Sequence, residues 1–97
     1  MSKKIILPKI SKKILDADFV QLWWSDINSD ASWLNLNVAK KSKPTNCVST
    51  GWLIKKTGGI HVIAADLCFE DDGRIADVGN VTTIPTSNVI RIIKIKL

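Results

Sequence analysis

A chain of 97 residues is long enough for one small core and too short for two, so a single domain is expected. Hydrophobic residues at 45% and charged residues at 24% are ordinary folded-protein values and exclude wholesale disorder. Net charge is +5, and two cysteines with one histidine, at no metal-ligand spacing, argue against both a disulfide framework and a zinc site, so no cofactor is expected.

Residues 1–15 read as a basic arm: five lysines and no acid fall within the first 13 positions. Ile10, Ile14 and Leu15 have helical spacing, which predicts a short helical turn packed on the domain that follows, residues 16–97. Three apolar residues before Pro8 are too few for a signal-peptide core. No later run approaches a membrane span, so no membrane partner and a cytoplasmic location are expected.

Residues 18–27 form the first expected strand, aromatic and β-branched, with Trp23 and Trp24 pointing to opposite faces. Residues 28–44 begin with Ser29, Asp30 and Ser32 as possible caps and end before Pro44. A short helix or ordered loop is expected there, laid across one end of the domain. The second strand, residues 46–57, contains Gly51, which inside a strand marks a sharp bend or a close backbone approach. Thr57-Gly58-Gly59 predicts a hairpin turn into a third strand, residues 59–70, and Asp71-Asp72-Gly73 predicts a second one. The fourth strand then runs to Pro85 with Gly79 as its expected bulge. At residues 84–95 the chain reads IPTSNVIRIIKI, where proline and three small polar residues interrupt pairing for about one turn before a fifth strand resumes. Five strands joined by short turns predict a mostly β fold, a small, strongly bent antiparallel barrel of the SH3-like kind.

Catalytic chemistry finds little to work with, and no enzyme is expected. His61 is the only histidine and sits among apolar strand residues. Glu70, Asp71 and Asp72 crowd a hairpin turn without the spaced ligands of a calcium loop. No phosphate-cradling glycine loop or nucleophile elbow is present, and no small-molecule substrate is evident. Charge is more informative. Lys40, Lys41 and Lys43 add to the basic arm, while residues 66–77 hold five acids against Arg74 alone. This polarity suits an anionic partner, and it suits equally a self-association in which one copy's acidic segment meets another's basic one. Of the four tryptophans, burial is the default for Trp33 and Trp52, which are also the two placed to stack on bases if exposed.

A strand bent at a central glycine, a tight hairpin, a long third strand and a one-turn link between the last two strands together resemble the Sm-like and Hfq family. GWLIKKTGGIHVIAADL, beginning at Gly51, resembles its first sequence region, and IPTSNVIRII, beginning at Ile84, its second. The likeness spans about 50 residues, from Cys47 to Ile95. The run Cys47-x-Ser49-x-Gly51-Trp52-Leu53 with a later Ile84-Pro85 is also similar to small phage-encoded proteins, which would place the chain in a host cytoplasm. The family resemblance implies a homo-oligomeric ring closed through strand edges, with single-stranded RNA as a partner at its inner rim. Lys55, Lys56, Thr57, Ser87, Asn88 and Arg91 are the residues it places there: lysines for phosphates, small polar groups for base edges or 2′-hydroxyls. The family's acidic residue, stacking ring and asparagine are absent from the first rim loop, where Lys55-Lys56-Thr57-Gly58-Gly59 stands instead. The alternative expectation is a non-enzymatic interaction or structural adaptor with the tryptophans as its contact surface.

Overall fold

The computed structural model describes residues 7–97; the first six residues of the basic arm, with Lys3 and Lys4, lie outside the described residues. Five strands form one antiparallel sheet: β1 (Asp18–Asp26), β2 (Thr45–Lys55), β3 (Ile60–Phe69), β4 (Ile75–Pro85) and β5 (Val89–Lys94). Their order across the sheet is β4-β3-β2-β1-β5. The remaining regular elements are a four-residue helix, α1 (Leu36–Ala39), and a 3-10 turn, Thr86–Asn88. The chain is therefore mostly β, as its strand signals predict. The sheet is open, with β4 and β5 as its two edges.

Alternation along β1 sets the two faces. Val20 and Leu22 are fully buried and join Leu53, Ile63 and Ile84 in the core, with Trp24 and Val89 packed at its margin. On the opposite face Phe19 stands across from Trp52, ring centroids 4.7 Å apart and planes tilted by 58°. Trp24 satisfies its indole by donating from Nε1 to Ser49 Oγ at 3.1 Å, whereas Trp52 Nε1 is buried with no acceptor among the described residues. Trp23, facing away from Trp24, is exposed and donates to Gln21 Oε1 at 2.8 Å.

Gly51 sits where β2 must approach β3 most closely. A Cβ on Gly51 would lie 2.4 Å from the Ala64 carbonyl oxygen, inside any allowed contact, so only glycine fits. Pairing between β2 and β3 is confined to this neighbourhood, Trp52 opposite Ala64 and Lys55 opposite Val62. Beyond it the sheet divides: residues 45–51 of β2 pair with β1 only, and residues 66–69 of β3 pair with β4 only. Two ribbons thus leave the core, the β3–β4 one with its tip beside Lys13 and Ile14 of the arm. The radius of gyration, 18.7 Å, against about 13 Å for a compact chain of this length, records how much of the molecule lies away from the core.

Two glycines of positive φ, Gly58 at 68° and Gly59 at 78°, make the β2–β3 hairpin, a conformation other residues adopt only at a cost. Ile60 N closes it on Thr57 O at 3.4 Å. The arm forms one hydrogen-bonded helical turn, Ile14 N and Leu15 N both donating to Ser11 O at 3.0 Å. Two local expectations shift in detail. Gly79 pairs in register with Asp66, and the irregularity of that hairpin falls at Cys68/Phe69; the positive φ belongs to Asn80, whose amide donates to the Asp66 carboxylate. Residues 28–44, expected to lie across the domain, are exposed throughout.

Candidate nucleic-acid interface

The 3-10 turn is the hinge pin of the site. Its first residue, Thr86, donates from N to Gly59 O at 2.9 Å and meets His61 Nδ1 through Oγ1 at 3.0 Å. Its last, Asn88, donates from Nδ2 to Ser25 O at 2.8 Å, near the far end of β1. One turn of chain therefore ties the β2–β3 hairpin to the end of β1, and the buried Ile84 and the core-packed Val89 hold it from either side. Pro85 suits the entry: its φ of −55° is the one the ring imposes. His61 is thereby a buried structural partner of the turn.

Beside the same hairpin lies a groove of about 360 Å³ whose lining includes Lys12, Asp18, Leu53, Lys55, Lys56 and Thr57. Its cations come from two separate parts of the chain, the arm and the end of β2, and a further lysine reaches Asp18 from β5. Lys12 is brought in by the arm, with Nζ 3.7 Å from Asp18 Oδ1 and 4.0 Å from Asp16. Lys94, at the end of β5, places its Nζ 3.4 Å from Asp18 Oδ2. Burial works to raise the Asp18 pKa, but the hydrogen bond and charge of Lys94, with the charges of Lys12 and Lys56, outweigh it and hold the carboxyl below its ordinary value. Among the described residues no carboxylate lies within ion-pair distance of Lys55 or Lys56. Exposed pairs such as Lys12–Asp18 are weak and screened by water, so an incoming anion can recruit those lysines.

Of the six residues that sequence reasoning placed at the rim, the structure brings Lys55, Lys56 and Thr57 together in the groove. Ser87, Asn88 and Arg91 do not line it. Ser87 Oγ donates to Asn88 Oδ1 at 3.2 Å, Asn88 spends its amide on Ser25, and Arg91 is exposed on β5 opposite Trp23. Lys12, Asp18 and Lys94 are the residues missed. Lys94 reaches Asp18 only because β5 pairs with β1 in a register that sets Lys94 opposite Val20, and no local pattern announces that register. Lys12 carried a weak signal, its i,i+4 spacing to Asp16.

The tryptophans also sort differently. Trp33 is fully exposed where burial was expected, and Trp52 is largely withdrawn against Phe19. Among the described residues no helix is long and apolar enough to cross a membrane. Compared with family models, with curated proteins and with solved structures, the chain matches none.

Proposed function

We propose that this chain is the subunit of an Sm-like homo-oligomeric ring that binds single-stranded RNA at a basic rim. The observation that carries the reading is the hairpin groove, where among the described residues Lys55 and Lys56 have no carboxylate within ion-pair distance, and Lys12 and Lys94 both pair with Asp18, Lys12 with Asp16 as well. Phosphates would displace Asp18 from its lysines, and Thr57 would offer a hydroxyl to a sugar or base edge. Supporting the fold half of the proposal are five antiparallel strands in one sheet, the close approach of β2 to β3 at Gly51 and the one-turn link between β4 and β5. Supporting the ring are the two free edges. β5 carries the exposed Ile90, Ile92 and Ile93, and a neighbour's β4 laid along it would continue the sheet head to tail.

The test is titration of a labelled uridine- or adenine-rich oligonucleotide at two salt concentrations, with native mass by light scattering. Affinity should fall steeply with salt, and the Lys55→Ala, Lys56→Ala variant should bind more weakly with a log–log slope reduced by about 1.5, the share of two phosphate contacts on a single strand. Binding indifferent to salt, or unchanged in that variant, removes the RNA reading. A non-catalytic adaptor is the second reading, and one observation favours it: the apolar side chains of residues 27–38 are held out in water.

A further inference from the structure

Between β1 and β2 the chain leaves the sheet as a finger shaped by local bonds. Asn28 Nδ2 donates to Lys43 O at 3.4 Å and ties its two sides near the sheet, and Asn35 Oδ1 caps α1 by accepting from Val38 N at 3.1 Å. Every residue from 27 to 46 is nonetheless exposed, Trp33 completely and Leu36 at 70%. Trp33, Leu34, Leu36 and Val38, four large apolar side chains held in water close together, mark a contact surface.

Direction and charge together select what it contacts. Leu36 and Val38 are two positions apart on α1, about 200° round its axis, so they point to opposite sides of the finger. A protein groove or a nucleic acid takes one side of such a finger, whereas a lipid bilayer encloses it from all sides. Lys40, Lys41 and Lys43 follow the apolar residues on the return to β2, and Asp30, its carboxylate accepting from Ser32 N and Oγ, is the only acid from residue 27 to 46. The acidic tip of the β3–β4 hairpin lies beside Lys13 and Ile14, which precede β1, while the finger leaves from the end of β1. At the finger's tie, Ile27, Asn28, Ser42, Lys43 and Pro44 line a cleft of about 300 Å³, with room for a headgroup beside a lysine. An apolar end backed by a basic collar is the pattern of an interfacial anchor on anionic lipid. A four-residue helix pairs few backbone groups, which keeps such a finger at headgroup depth. It needs no membrane-spanning run.

We propose that the finger is a peripheral anchor for an anionic phospholipid surface, Trp33, Leu34, Leu36 and Val38 entering the interface while Lys40, Lys41 and Lys43 meet the headgroups. The contact uses neither the strand edges nor the lysine groove, and it goes beyond the ring and RNA reading.

The experiment is co-sedimentation of the full chain, free of RNA, with phosphatidylcholine vesicles that contain or lack phosphatidylserine, together with tryptophan emission. Phosphatidylserine should strengthen binding at least tenfold and shift the emission to the blue. Trp33→Ser with Leu34→Ser, and Lys40→Glu with Lys41→Glu, should each weaken binding at least tenfold, whereas Lys55→Ala, Lys56→Ala should leave it within about twofold. All these sites are exposed, so the fold is retained, and Trp33→Phe should still bind while losing the blue shift. No binding to phosphatidylserine vesicles overturns the anchor. So does binding that survives Trp33→Ser, Leu34→Ser and is lost on Lys55→Ala, Lys56→Ala, which is charge adhesion through the groove. A fall in native mass of Trp33→Ser, Leu34→Ser without vesicles assigns the finger to a second copy, and loss of oligonucleotide binding in that variant assigns it to nucleic acid; either result overturns the anchor. Because the vesicle assay contains no RNA, failure of the groove as an RNA site leaves its result standing.

Discussion

Gly51, inside β2, and Trp33, in the segment that leads from β1 to β2, are treated by the structure in opposite ways. At Gly51 tertiary packing dictates a residue to the atom: β3 passes so close that a methyl group has no room. At Trp33 it dictates nothing, and the largest side chain of the alphabet is left in solvent although its neighbours are capped and turned with good geometry. Local hydrogen bonds are present in both regions; only one is also enclosed. Order and burial are therefore separable in this molecule, and the region that has order without burial is the one free to serve a partner.

That contrast is easiest to break at its enclosed end. Gly51→Ala should lower stability by about 1–3 kcal/mol, since backbone rather than a flexible side chain blocks the new methyl, while Trp33→Ala in the isolated subunit should stay within about 0.5 kcal/mol; urea midpoints of the two variants decide. Equal losses would mean that the finger is packed after all. A smaller effect tests the turn between them. Asn88→Ala removes the bond to Ser25 O and should cost about 0.5–1.5 kcal/mol while loosening the junction of β1 and β5, seen as faster amide exchange at Val89 and Trp24.

The smallest expected change is electrostatic. The folded-state pKa of Asp18 is depressed, so the stabilisation from Lys94 and Lys12 is complete above the ordinary carboxylate pKa of about 3.9 and is lost as pH falls through the lowered value. The difference in urea midpoint between the native chain and Asp18→Asn should accordingly be present at pH 7 and shrink once pH falls below the ordinary carboxylate value. A difference that grows with acid would show that the carboxyl, not its lysines, is what the groove strains to hold.

Much of the fold is legible because its signals are local. Alternation in residues 18–26, Thr57-Gly58-Gly59, Asp71-Asp72-Gly73 and the Pro85 break each act within four or five residues, and all four mark the observed elements. Asp72 shows the scale on which such signals work: its carboxylate takes Arg74 N at 3.0 Å and Arg74 Nε at 2.7 Å, which holds its pKa below the usual range and fixes the turn. The candidate site is only half legible. Lys55, Lys56 and Thr57 are contiguous and arrive together, but Asn88 was assigned to a ligand and turned out to be occupied by Ser25, a residue 63 positions away.

What the sequence determined by itself is the set of strands, the turns between them, the single-glycine position at 51 and the polarity of charge, all consequences of backbone preference and period-2 burial. Tertiary structure alone decided that β2 and β3 part company beyond Trp52, that Lys12 and Lys94 both meet Asp18 at the hairpin groove's margin, and that residues 27–46 stay exposed. The physical reason is common to all three. Register and enclosure depend on how many strands compete for one face, and that competition is settled between residues distant in sequence, where no local pattern can record the outcome.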